Sequence, residues 1–244
     1  MSKNLAEGSS VSIKISSKKV AIALFGLVAI LAVLHLITQY VIFFYSTGSF
    51  TTEILTRFDM NNEISIPTWF SQILLLLSAV IFAYIAYVKF SCKDKYRFHW
   101  LSLGFLFTYL SIDEGAELHE TLGILDIANS LGLTSTFFGF AWVLPAMLIV
   151  LVLGALFFRF WLQLPNRTKV LFVLAIGLFL SGALGIEMIS ADYLAQVQAD
   201  GFTYNGVLVL FEEGLEMLGV VTLIYALLSY ASEQKTLLSV NITR

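Results

Sequence analysis

The sequence has few of the residues on which many protein functions depend. A single cysteine among 244 residues excludes a disulfide framework within the chain. Charged residues make up 13%, about half the proportion usual in soluble proteins. No basic tract suited to nucleic acid is present, and the phosphate-binding pattern G-x-x-x-x-G-K-[ST] and the nucleophile pattern G-x-S-x-G are both absent. We therefore do not expect a disulfide-rich secreted domain, a nucleic-acid-binding protein, a P-loop enzyme or an α/β-hydrolase.

Long apolar runs dominate the chain instead. Hydrophobic residues make up 58% of the sequence, and its mean hydropathy is +0.86. Runs of this length predict an all-α, polytopic transmembrane helical bundle that forms a single domain over residues 1–244. The first run is too long for the apolar part of a signal peptide and has no cleavage pattern. We expect a polar cytosolic tail over 1–18 and six spans at approximately 20–45, 67–90, 98–125, 137–161, 170–194 and 204–230.

The basic residues predict the orientation of these spans. Lysine and arginine lie in the N-terminal tail, in the connections 89–97 and 159–169, and in the C-terminal tail. The alternate connections contain only Arg57 between them. By the positive-inside rule, both termini are expected in the cytosol.

Acidic residues inside the predicted spans are the main functional indication. The stretch 113–120 reads Asp-Glu-Gly-Ala-Glu-Leu-His-Glu, the stretch 212–216 reads Glu-Glu-Gly-Leu-Glu, and Glu187 lies in the fifth span. Each ionised group in a span costs roughly 2.5–3.5 kcal/mol on insertion scales, so such groups usually serve a function. At ~1.5 Å rise per residue, these acids and His35 fall in one layer in the outer half of the bilayer. The glycine in each stretch, Gly115 or Gly214, would permit close helix approach.

The predicted spans contain no lysine or arginine at this depth to neutralise the acids. Crowded carboxylates without cations either hold protons or bind a metal ion. Carboxylate-bridged metal sites in helical bundles combine several carboxylates with histidine. The sequence therefore predicts a metal site whose expected ligands are Glu117, His119, Glu187, Glu213 and Glu216. The residues expected in its second shell or in a proton relay are His35, Asp113, Glu114, Glu120 and Glu212.

Such ligands favour a divalent metal, iron or manganese, with magnesium or calcium as alternatives. The first hypothesis is therefore an intramembrane metalloprotein, an oxidoreductase or hydrolase acting on a lipophilic substrate. The second is a proton- or cation-coupled transporter that uses the same acids. The third is an accessory subunit of a larger membrane complex, contacting lipid or partner proteins through the apolar fourth span. We expect membrane lipid as a partner and no nucleic acid.

Three segments together resemble those of a family of uncharacterised polytopic bacterial membrane proteins. They are the Ile-Pro-Thr-Trp-Phe-Ser segment at 66–71, the acidic stretch around 113–120, and Glu-Glu-Gly-Leu-Glu-Met-Leu-Gly at 212–219. The resemblance covers most of the chain and implies a multi-pass protein of the bacterial inner membrane. It implies no activity.

The topology predicts a clear outcome for reporter fusions. A reporter joined at Lys95 should report the cytosol and one joined at Asn129 the opposite compartment, because basic residues flank only the first position. Enzymatic reporters that are active in one compartment only would measure this. The same compartment for both fusions would contradict the topology.

Overall fold

The computed structural model describes residues 16–45, 48–119, 121, 130–132, 136, 140–197 and 202–234. The described residues form helices and no strands. The α-helices are α1 (Ser17–Phe44), α2 (Ser49–Leu55), α3 (Ile66–Ser91), α4 (Arg97–Ala116), α5 (Val143–Leu162), α6 (Asn166–Leu180), α7 (Glu187–Val197) and α8 (Val209–Glu233). Two π-helical segments, π1 (Ser181–Ile186) and π2 (Thr203–Leu208), lead directly into α7 and α8.

Four helices in the described part of the chain are long and apolar enough to cross a membrane. They are Ser17–Phe44, Ile66–Ser91, Val143–Leu162 and the continuous helix Asn166–Gln196. The all-α prediction is confirmed, and these four correspond to the predicted first, second, fourth and fifth spans. The predicted third and sixth spans also form helices, α4 and α8, but they are not among these four. Both carry acidic residues, which lower the hydropathy of their apolar runs.

The predicted third span is too long at its C-terminal end. Helix α4 ends at Ala116 rather than near residue 125, and its C-cap residue Glu117 adopts the left-handed conformation with φ of 49°. The helix stops here because Asp113 caps the chain that follows: its carboxylate accepts the backbone N–H of His119 at 2.7 Å. Asp113 and Glu117 therefore do not share a helical face, as an uninterrupted helix would require.

Helix α8 occupies the centre of the bundle. It packs against α1, α3, α6 and π1, and Met217, Val221 and Leu227 are completely buried. A Cβ added at Gly219 would lie 2.7 Å from the backbone N of Phe179 and 2.8 Å from the carbonyl oxygen of Ala175. The α6–α8 contact therefore needs glycine at this position. Helix α5 is peripheral, since only Val143, Pro145 and Phe160 are buried along it.

Aromatic and basic side chains join the helices at one end of the bundle. The Trp100 indole at the start of α4 stacks on Tyr230 of α8 at 4.9 Å and meets Phe160 of α5 edge-on at 5.0 Å. The Lys89 ammonium at the end of α3 lies 5.5 Å from the centre of the Tyr230 ring. Arg167, at the start of α6, pairs with Glu233 at 2.9 Å. We call this the basic end of the bundle.

Candidate functional site

Five glutamates converge at the end of the bundle opposite the basic end. They are contributed by the last turn of α4, the first residue of α7 and the first two turns of α8. We call them the carboxyl cluster, and its members are Glu114, Glu187, Glu212, Glu213 and Glu216. Three separate stretches of the chain therefore meet at one site, and the member from the third predicted span is Glu114, which the sequence had placed in the second shell or relay.

Hydrogen bonds connect members of the cluster to one another and to one serine. The side chain of Glu212 is hydrogen-bonded to the side chain of Glu187. The buried hydroxyl of Ser190 lies beside them and has no hydrogen-bond partner in the described part of the chain. The side chain of Glu114 is hydrogen-bonded to Ser71 on α3. A carboxylate can only accept a hydrogen bond, so the contact between Glu187 and Glu212 requires a proton on at least one of them. The two side chains can therefore stay hydrogen-bonded to each other only while the pair holds a proton.

Electrostatic interactions extend beyond this pair. Glu213 faces the carboxyl groups of Glu114 and Glu187, and Glu216 faces all four of the others. None of the ion pairs found among the described residues involves a member of the cluster. If all five were ionised, their mutual repulsion in a low-dielectric interior would be severe. Protons or a bound cation must therefore reduce the negative charge.

The two π-helical segments lie immediately before the acids. Segment π1 ends at Ile186, next to Glu187, and π2 ends at Leu208, one turn before Glu212. Wide turns of this kind within α-helices occur frequently at functional sites. The sequence prediction contained no such irregularity. Its only visible trace is glycine: Gly182 and Gly185 lie in π1 and Gly206 in π2.

Gly182 sets the distance between π1 and the acidic turn of α8. A Cβ at this position would lie 2.4 Å from the carbonyl oxygen of Glu212 and 2.8 Å from Cγ of Glu216. The expected role of glycine in close packing is therefore filled by Gly182 and Gly219. The sequence predicted this role for Gly115 and Gly214. An added Cβ at Gly214 would have nothing within 4 Å, and one at Gly115 would meet only the flexible Gln72 side chain.

A histidine–aspartate pair lies beside the cluster, just beyond the end of α4. His119 Nδ1 is 3.1 Å from Oδ2 of Asp113, and the imidazole meets the Trp142 indole edge-on at 4.6 Å. The imidazole also interacts electrostatically with Glu114 of the cluster. This links the predicted residues Asp113, His119 and Glu114. Glu117 is the C-cap of α4, and Glu120 lies outside the described residues.

His35 has contacts of a different kind from those predicted for a second-shell or relay residue. Its completely buried imidazole accepts the backbone N–H of Met60 at Nδ1, at 3.0 Å, and the same nitrogen is 3.3 Å from Asp59. His35 therefore attaches the connection between α1 and α3 to α1. Its other nitrogen, Nε2, is buried with no hydrogen-bond partner in the described part of the chain.

The metal prediction finds no support in the arrangement of the side chains. Among the residues that the structure describes, no group of three or more His, Cys, Asp or Glu side chains is placed to hold a metal ion. Sequence reasoning also missed Ser71, Ser190 and Trp142, which contact the acids or His119. Ser71 ends the Ile-Pro-Thr-Trp-Phe-Ser segment, which gave no indication of this role, and Ser190 and Trp142 belong to no recognised motif. Only the folded chain brings them to the site.

The fold and the site together describe a helical protein with apolar helices that could cross a membrane and an acid cluster between three of its segments. The chain belongs to the family described as "Domain of unknown function (DUF8692)", which matches residues 21–230. No curated protein matches the chain. No solved structure matches it either.

The close approach at Gly182 gives a testable prediction. Gly182→Ala should lower the free energy of unfolding by about 1–3 kcal/mol, the usual effect of overpacking, because the backbone of Glu212 must move. Thermal unfolding of the purified protein in detergent would measure this.

Gly177→Ala is the matched control for this substitution. Gly177 lies in α6, one turn before π1, and has nothing within 4 Å of an added Cβ. Alanine there should be neutral or stabilising by up to ~1 kcal/mol, because alanine is the better helix former. Equal melting of the two variants would show that the contact at Gly182 is not close-packed.

Proposed function

We propose that the protein spans the bacterial inner membrane six times, with both termini in the cytosol. Contacts at the basic end support this: α4 and α6 begin there, and α3, α5 and α8 end there. Helix α1 begins there too, because Ser17 Oγ is 3.3 Å from Ser229 Oγ of α8. Helix α4 has 20 residues, so it is about 30 Å long, which matches the apolar thickness of a bilayer. The positive-inside rule then assigns the basic end to the cytosol.

We further propose that the carboxyl cluster is the proton-binding site of a proton-coupled membrane transporter. The observation that carries this is the hydrogen bond between the side chains of Glu187 and Glu212. Interacting acids inside membrane segments are a common means of carrying protons in pumps and transporters. Interrupted helices that meet near the site are also typical of transporters, and π1 and π2 supply such interruptions here.

The geometry provides a way to couple the proton to a change of shape. Loss of the proton shared by Glu187 and Glu212 would leave two adjacent anions, which repel. Glu187 follows π1, and Glu212 lies in the first turn of α8. Repulsion between the two side chains would therefore move one helix relative to the other. The partly exposed His119, beside Glu114, is suited to pass protons between the cluster and the outer surface.

Infrared spectroscopy of a substituted protein tests for the shared proton. At neutral pH, Glu212→Gln should remove a carbonyl band of protonated carboxylic acid from the spectrum, because the amide takes the place of the protonated member of the pair. The difference spectrum between wild type and variant, recorded in H₂O and in D₂O, measures this band. No transport substrate has to be known.

Glu233→Gln is the control for this experiment. Glu233 carries a carboxyl group of the same kind at the basic end, where it pairs with Arg167. Its substitution should remove only bands of an ionised carboxylate. If Glu212→Gln also removes only ionised-carboxylate bands, the pair holds no proton and the proposal fails.

A metalloprotein is the second candidate, favoured by the contact between Asp113 and His119. A carboxylate on one imidazole nitrogen is the arrangement that usually orients a metal-binding histidine, with the other nitrogen as ligand. In this proposal Glu117, His119, Glu187, Glu213 and Glu216 would hold iron, manganese, magnesium or calcium, and the protein would act on a lipophilic substrate as an oxidoreductase or hydrolase.

The metal candidate predicts that metal content depends on Glu117. Glu117→Gln should lower the metal content of the purified protein and its melting temperature, because a cation offsets the burial of the ligands' charge. Elemental analysis and thermal melting, with and without a chelator, would measure both. Glu53→Gln is the control, because Glu53 is exposed and pairs with Arg57. This candidate would be contradicted by a wild-type protein that contains no metal and has the same melting temperature with and without the chelator.

A further inference from the structure

A pocket of about 330 Å³ lies at the basic end, between the end of α5 and the start of α6. It is lined by Trp161, Asn166, Lys169, Val170 and Val173. Its volume is at the lower end of the range for small-molecule sites, roughly 300–1,000 Å³. The side chains of Val170 and Val173 are 67% and 55% exposed, so one wall of the pocket continues onto the apolar outer surface of α6.

Lys169 has no carboxylate partner in the described part of the chain, in contrast to two other basic residues at this end. Arg167 pairs with Glu233, and Lys89 pairs with Asp94 at 3.3 Å. Lys169 is partly buried, and its ammonium group forms no ion pair among the described residues. The ammonium group donates a hydrogen bond to the neutral Oδ1 of Asn166 at 3.5 Å. The pocket therefore contains an uncompensated positive charge.

Trp161 also lines the pocket and is held in place. Its indole N–H donates to the carbonyl oxygen of Lys169 at 3.4 Å, and its ring stacks on Phe158 at 6.0 Å. Tryptophan is enriched at the level of lipid headgroups. The pocket is thus lined by a positive charge, an amide, a tryptophan and two valines of α6.

We propose that this pocket binds an anionic phospholipid of the membrane. The phosphate lies against the Lys169 ammonium and the Asn166 amide, and one acyl chain follows Val170 and Val173 along α6. Charge complementarity selects the headgroup, because basic pockets between membrane helices on the cytoplasmic side bind anionic lipids. The apolar wall selects a lipid rather than a soluble phosphate. This site is separate from the carboxyl cluster, and it rests on the proposed membrane topology but not on the proton-binding role proposed for the cluster.

Native mass spectrometry with defined lipids tests this assignment. The purified wild-type protein is mixed with phosphatidylglycerol or with phosphatidylcholine of the same chains, and bound lipid is counted. Phosphatidylglycerol should be retained preferentially. Lys169→Gln should reduce that preference roughly fivefold, the effect expected of one lysine charge at a lipid surface.

Lys95→Gln is the matched control, because it removes the same charge from the same end, where Lys95 lies over the Tyr96 ring. It should leave the preference unchanged. Thermal melting of both variants shows whether each is folded. Glycerol phosphate, added in excess, should not displace the bound lipid. Equal lipid preference in the two variants, or displacement by glycerol phosphate alone, would overturn the proposal.

Discussion

The close contact between π1 and α8 is the constraint on which the site depends. Gly182 has no side chain, so the backbone of Glu212 can approach it. About two turns nearer the basic end, Gly219 allows a similar approach between α8 and α6. A side chain at Gly182 would clash with the backbone of Glu212 and so would separate π1 from the acidic turn of α8. The short distance lets Glu187 and Glu212 form a hydrogen-bonded pair. It also places Glu213 and Glu216 where they interact electrostatically with other carboxyl groups of the cluster.

Much of the architecture is predictable because it depends on composition and period alone. The bounds of α1 and α3 lie within a few residues of the predicted spans, since polar residues flank both apolar runs. The convergence of Glu187 with Glu212, Glu213 and Glu216 also follows from the predicted depths along helices of constant rise. Both results need only the order of apolar and charged residues.

Other features depend on local hydrogen bonds that the sequence pattern does not reveal. Helix α4 stops because a side chain, Asp113, satisfies a backbone N–H beyond its end, so the apolar run alone does not predict its end. The contacts of His35 with Met60 and Asp59 depend on how the following connection folds back. The preference for a metal site relied on residue types, whereas metal binding also requires donor atoms at suitable distances and angles.

The π-helical segment π1 has a consequence for the register of the long helix that contains it. A wide turn accommodates an extra residue, and one residue corresponds to ~100° of rotation about the helix axis. Before the wide turn, one face of the helix packs on α8. After the wide turn, another face presents Glu187 and Ser190. The wide turn thus lets these two faces be set independently of each other. If the same residues formed an uninterrupted α-helix, with Ala175 and Phe179 still against Gly219, Glu187 would be rotated by ~100°, away from Glu212. The length of the segment, as much as its amino acids, therefore determines whether the acid pair can form.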